Sequence, residues 1–163
     1  MKGFTLIELI LVLAILAIVS VLSIPFIQIF QTSSDLYTYT DSIAQTLRRA
    51  NQQSVAGQDG SAWGVYFDTA GSRLVMFKGN DYAGRDDEYD QEIDYPDSFV
   101  VSADFGDEIS FSLYRGLPSD TGTIIIASVE SDVNKYIVIS EIGLVKISDK
   151  PASSLPPASP TLP

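Results

Sequence analysis

Met1-Lys2-Gly3-Phe4-Thr5-Leu6-Ile7-Glu8 opens the chain, and Leu9 to Phe30 follows without a charged residue. As a helix this apolar run would be ~33 Å long, enough to cross a typical hydrocarbon core. A single carboxylate, Glu8, then stands at the edge of a membrane-length helix, where a charge is costly and marks function. A secretory signal has a shorter apolar core with a small-residue cleavage site behind it. No such site follows here. The junction that looks like a processing site, Gly3-Phe4, lies ahead of the run. Lys2 precedes the span and places the amino terminus in the cytoplasm and the carboxyl domain outside.

Beyond Phe30 the pattern becomes amphipathic. Leu36, Ile43, Leu47, Ala50 and Ser54 recur at spacings of three, four and seven, with Asp41, Gln45, Arg48 and Gln52 on other faces. This predicts one long helix from about Thr5 to Ala56, half in lipid and half packed on a sheet, ended by Gly57. Pro25 removes a backbone hydrogen bond and is expected to kink it. After Gly57 the period falls to two. Strands are expected at residues 62–68, 73–78, 99–102, 108–114, 122–128, 135–140 and 144–147. Asp68 to Gly71 and Glu141 to Gly143 read as hairpin turns. Residues 79–96 are polar and acidic and read as a loop. Residues 149–163, rich in Pro, Ser and Ala, read as a disordered or extended tail.

Composition narrows the chemistry. The 163 residues suffice for one membrane helix and one small domain. There is no cysteine and no histidine, which removes disulfides and the usual zinc, haem and thiol chemistries. The net charge is -11, much of it between Asp81 and Asp97, where Arg85 is the only cation. Such a surface repels phosphate backbones and disfavours nucleic acid as a partner.

Gly3-Phe4-Thr5-Leu6-Ile7-Glu8 ahead of a long aliphatic run resembles the class III prepilin leader of the type IV pilin and pseudopilin family. The resemblance implies cleavage between Gly3 and Phe4 by prepilin peptidase and N-methylation of Phe4. It also implies that Glu8 serves assembly by meeting the amino terminus of a neighbouring subunit. Pro25 falls where many pilins carry a helix-kinking proline. In the carboxyl half, Arg48-Arg49-Ala50, Trp63-Gly-Val-Tyr-Phe67, Phe111 to Gly116, Gly122-Thr-Ile-Ile-Ile126, Tyr136-Ile-Val-Ile-Ser140 and Gly143-Leu-Val145 are similar to GspH/FimT-type minor pseudopilins. The acidic segment and the proline-rich tail depart from the type II secretion examples. The expected fold is α+β and pilin-like. A long amino-terminal helix, with a membrane half and an amphipathic half, packs on an antiparallel β-sheet domain. The expected organisation is leader 1–3, polymerisation helix 4–30, amphipathic helix 31–57, β-rich head 58–148 and tail 149–163. The implied role is a subunit of a type IV pilus or type II secretion pseudopilus. It would be held in the cytoplasmic (inner) membrane by a single pass and then assembled. The implied partners are the peptidase, other pilin or pseudopilin subunits and the membrane.

Each singled-out group has a plainer reading. Thr5-x-x-Glu8 also fits a capping box, in which both side chains satisfy free amides at a helix start. Glu8 could equally sit at the membrane interface and reach water. The carboxylates of residues 81–97 could hold calcium, but they lack the spacing and glycine of an EF-hand, and charge runs are usually solvated faces. Adjacent Arg48 and Arg49 point to different sides of a helix and read nucleic acid poorly, which favours salt bridging or filament packing. No nucleophile–base arrangement or phosphate loop is visible, so neither catalysis nor a cofactor nor a metal is expected. The alternative to a structural subunit is a pilus-displayed binding module for DNA uptake, adhesion or calcium.

Overall fold

The computed structural model describes Gly3, residues 5–129 and residues 133–151, with the side chains of residues 21–33 excepted. Helix α1 runs Leu6–Ala56. It stops at Gly57, whose φ of 64° is the left-handed conformation that glycine enters without steric cost. A short 3₁₀ turn, Gln58–Gly60, leads into eight strands: β1 Trp63–Asp68, β2 Arg73–Lys78, β3 Asp86–Asp94, β4 Phe99–Ala103, β5 Glu108–Phe111, β6 Gly122–Ser128, β7 Asn134–Ile139 and β8 Val145–Ser148. The chain divides into two compact units, residues 1–35 and 36–163.

In the second unit the strands form two four-stranded sheets, ordered β3-β2-β1-β5 and β4-β6-β7-β8. Every pairing is antiparallel. The helical face expected from the sequence is the buried one. Leu36, Ile43, Leu47, Ala50 and Ser54 are all inaccessible, while Asp41, Gln45 and Gln52 are exposed. Leu36, Ile43 and Leu47 share a core with Val65 and Phe67 of β1, Ile109 and Phe111 of β5, Ile124 and Ile126 of β6 and Ile137 of β7. Each such aliphatic side chain contributes about 1.5–3 kcal/mol on burial. Thr40 and Thr46, buried on the same helix, satisfy their hydroxyls on the carbonyls of Leu36 and Ser42 at 2.7 and 2.9 Å.

Three side chains fix the helix to the sheets. Ser54 Oγ accepts the Trp63 N–H at 2.8 Å, tying α1 to β1. Asn51 Nδ2 donates to the Gly116 carbonyl at 2.7 Å. Arg48 donates through Nε and Nη2 to the Val145 carbonyl of β8, at 3.3 and 3.1 Å. The salt bridge expected for Arg48 is therefore replaced by a bond to a backbone carbonyl.

The segment 79–96 is not the loop that its polarity suggested. Its second half is β3, the edge strand of the first sheet. Three of the six β3 carboxylates are matched, from β2 and from the segment's own start: Arg73 to Glu92 at 3.1 Å, Lys78 to Asp86 at 3.1 Å and Arg85 to Asp90 at 2.7 Å. Tyr89 and Ile93 pack on the core, and Tyr89 meets Trp63 edge-on. The first half lies across the outer side of the same sheet. There Tyr82 stacks on Tyr66 at 3.9 Å and meets Phe77 edge-on, while its N–H donates to Glu108 at 2.8 Å. Val75 and Phe77 are fully buried but outside the main core, and Tyr82 of this strap covers Phe77. Phe77 lies so close to Gly64 that a Cβ there would sit 2.5 Å from the ring and 2.7 Å from the Ile109 carbonyl.

The strand expected at 108–114 ends at Phe111. Tyr114 takes a φ of 62°, and the chain turns back so that Ser112 N–H reaches the Leu117 carbonyl at 2.8 Å. Both expected hairpin turns join antiparallel neighbours, β1 to β2 and β7 to β8. The residues drawn as a tail begin with an ordered contact, since Asp149 pairs with Lys135. Residues 152–163 lie outside the described residues.

Candidate functional site

Leu6, Ile7 and Glu8 of the leader pattern form the start of α1. Gly3 is exposed. The Glu8 N–H donates to the Thr5 carbonyl at 3.1 Å and, at 3.4 Å, to Thr5 Oγ1. This is half of a capping box, and a long half. The reciprocal bond from Thr5 N–H to the Glu8 carboxylate is not among the contacts of the described residues. Glu8 is exposed, and so are Leu6, Ile7, Leu9, Ile10, Leu11, Val12, Leu13, Ile15, Leu16, Ile18 and Val19. Ser20 bonds its hydroxyl to the Leu16 carbonyl at 2.7 Å and so presents no free hydroxyl proton. An apolar helix open on every side lacks the polar face of a surface helix and needs lipid or apolar neighbours.

Phe4, the expected site of cleavage and methylation, lies outside the described residues, as does the Pro25 side chain at the expected kink. Residues 21–30 of the expected span lie among the excepted side chains. Among the described residues no helix is long and apolar enough to cross a membrane.

The other candidates separate. Arg48 is committed to Val145, while Arg49 is exposed, so the two arginines do not form one basic surface. The acidic residues of β3 point to both sides of a strand and are spent partly on Arg73, Lys78 and Arg85. Among the described residues no group of three carboxylates converges as a metal site would require. The Asp68 carboxyl is held below the usual value by Arg73, with the Gly71 N–H adding to the effect, which secures the β1–β2 turn.

One surface feature escaped the sequence reading. Beside the turn after β5 lies an open, mostly apolar depression of about 320 Å³, lined by Phe111, Leu117 and Pro118 with Arg115, Ser112, Ser119 and Asn80. The available signal was that Arg115 is the only cation between Arg85 and Lys135.

An apolar amino-terminal helix followed by an antiparallel β head on its amphipathic half is a pilin-like α+β fold. Residues 1–24 match the prokaryotic N-terminal methylation motif. The fold is similar to that of the minor pseudopilin EpsH from the type 2 secretion system of Vibrio cholerae. That match has 16% identity, covers 70% of this chain and 96% of that one, and has a TM-score of 0.55. It is also similar to the type IV minor pilin FimU of Pseudomonas aeruginosa strain PAO1. In space group P21 the identity is 16%, coverage is 78% of this chain and 97% of that one, and the TM-score is 0.57. In space group P65 the values are 15%, 77%, 97% and 0.54. At these identities the likeness is one of fold. No curated protein matches the chain.

Proposed function

We propose that this chain is a prepilin-like structural subunit. It is held in the cytoplasmic membrane by its apolar helix, cut between Gly3 and Phe4 by prepilin peptidase and methylated on Phe4. It is then packed by the same helix into a type IV pilus or pseudopilus. The head type favours a minor subunit over the major shaft subunit. The observation that carries the reading is Glu8, set in an apolar helix exposed on every described side and accompanied by the whole leader pattern. A carboxylate in that setting gains a role if a neighbour's Phe4 ammonium meets it inside the filament.

Glu8→Gln separates this role from capping. The bond between the Glu8 N–H and Thr5 is made by the backbone and survives the change, and glutamine also serves a capping box. Loss of a buried charge pair, by contrast, costs about 3–5 kcal/mol because one charge is left uncompensated. The variant should reach the membrane at the wild-type level, be cleaved, and fail to enter sheared filaments. Intact-mass measurement should show a mature chain starting at a methylated Phe4. Normal incorporation at a normal membrane level would sink the charge-pairing role, and an uncut chain in cells containing the peptidase would sink the processing.

A further inference from the structure

The two sheets end in four strand edges, β3 and β5, β4 and β8, and their backbone bonds tell which of them is open. In an antiparallel ladder alternate residues turn their N–H and C=O to opposite sides. The Asp104 N–H bonds the Thr123 carbonyl at 3.2 Å and the Val129 N–H bonds the Ser98 carbonyl at 2.8 Å. Val101 of β4 therefore faces away from β6, and there it is buried. On β5 the outward groups are taken by the chain's own return. Ser110 accepts the Ser119 N–H and Ser112 donates to the Leu117 carbonyl, both at 2.8 Å. On β8, Val145 is buried and its outward carbonyl is spent on Arg48. β3 differs. The Tyr95 N–H bonds the Ser72 carbonyl at 2.9 Å, next to the pairs Arg73–Asp94 and Leu74–Ile93. Ile93 therefore bonds to β2, and the N–H and C=O groups of Glu92 and Asp94 point to the free side, both at exposed positions. Among the described residues this is the edge left open, and an open edge is a template for another strand.

The charges on this edge select the strand it takes. Asp87, Glu88 and Asp94 form no ion pair among the described residues, so a neutral or acidic strand beside them would leave the carboxylates unbalanced. Side chains alternate along β3. Glu92 and Asp94 stand on the outer face, while Ile93 between them packs against the core. We infer that β3 takes up an extended segment of a different protein, one in which lysine or arginine alternates with an apolar residue. The backbone of that segment bonds to Glu92 and Asp94, its cations face the carboxylates, and its apolar side chains continue the core beside Ile93. A second copy of the chain does not supply such a segment, since no two of its cations stand two residues apart. The acids thus keep copies of this chain from pairing edge to edge and leave the backbone open to a basic strand. The contact goes beyond the filament role proposed above and does not depend on it.

The test uses the full chain in detergent and a blocked seven-residue peptide of alternating lysine and valine, read by exchange of backbone amide hydrogens. At about 1 mM peptide, exchange at Glu92 and Asp94 should slow about tenfold or more. Two further peptides separate backbone from charge. The fully N-methylated form keeps the cations but has no backbone donors, and the form with glutamate in place of lysine keeps the donors but reverses the charge. Neither should slow exchange at these two amides. Asp87→Asn, Glu88→Gln and Asp94→Asn together should weaken binding of the lysine peptide about tenfold and flatten its salt dependence. Unfolding of this variant followed by Trp63 fluorescence should match the wild type, since all three residues are exposed. Equal protection by the N-methylated peptide would reduce the contact to charge alone and overturn strand addition. Protection by the glutamate peptide, or undiminished binding to the triple variant, would overturn the selection by charge. Unchanged exchange at Glu92 and Asp94 would overturn the inference outright.

Discussion

Ser54→Ala sets two local effects against each other. Alanine is the better helix former, worth up to about 0.5 kcal/mol at an interior position. The Ser54 hydroxyl, however, is fully buried and accepts the Trp63 N–H at 2.8 Å. Alanine leaves that amide buried without a partner, which costs about 1–3 kcal/mol. The backbone carbonyl of Ser54, which accepts the Tyr114 N–H at 2.9 Å, is untouched. The net expectation is a loss of about 0.5–2.5 kcal/mol, or roughly 2–10 °C in Tm at about 4 °C per kcal/mol. Trp63 is the only tryptophan and lies at the altered contact, so thermal unfolding of the full chain in detergent can be followed by its fluorescence. Gln52→Ala, on the exposed face of the same helix, supplies the propensity effect alone and should stay within about 0.5 kcal/mol. A Ser54→Ala protein as stable as Gln52→Ala, or more stable than wild type, would refute the claim that this hydroxyl joins helix to sheet.

Gly64→Ala should destabilise the head by about 1–3 kcal/mol, because its Cβ has no room between the Phe77 ring and the Ile109 carbonyl. Urea unfolding checks this, and Phe77→Leu in the same chain should relieve part of the cost. Lys135 is almost fully buried. Burial opposes its charge, but the Asp149 carboxylate and Tyr37 outweigh it, so its pKa is raised above the ordinary 10.5. The stability this gives is fully present below 10.5 and is lost as pH rises through the folded value, so wild type should weaken above that pH more steeply than Lys135→Met. Truncation after Lys150 should leave Tm unchanged, whereas truncation before Asp149 removes the Lys135 partner and should lower it. Equal Tm values for the two truncations would remove the boundary from between them.

The helix was legible because its buried face is aliphatic at regular spacing, from Leu36 through Ile43 and Leu47 to Ala50. The inner strands β6 and β7 were legible for the same reason at period two. β3 was not. Its six acids are poor strand formers, and the cations that offset three of them come from the preceding strand β2 and from Arg85, outside the run itself. Tyr89 and Ile93, four apart with Gln91 between, carried an alternation that the charge run masked. The early end of β5 was also hidden, since Ser112, Leu113 and Tyr114 continue the strand composition. Only the left-handed Tyr114 and the return bond to Leu117 show the chain turning. The leader was read whole from Gly3 to Glu8, because its chemistry is local. The Arg115 depression was not, because Asn80 and Ser119 reach it from separate parts of the chain.

Arg48, Asn51 and Ser54 also decide how the head would answer a pull. They leave α1 near its carboxyl end and grip three different segments: the Val145 carbonyl, the Gly116 carbonyl and the Trp63 amide. Tension drawn along α1 reaches all three at once, in shear. Bonds arranged in parallel share a force, whereas bonds in series give way one at a time. A subunit dragged by its amino-terminal end would therefore lose its head only when all three grips and the apolar face behind them slip together, and the strand ladders would not be unzipped in the process.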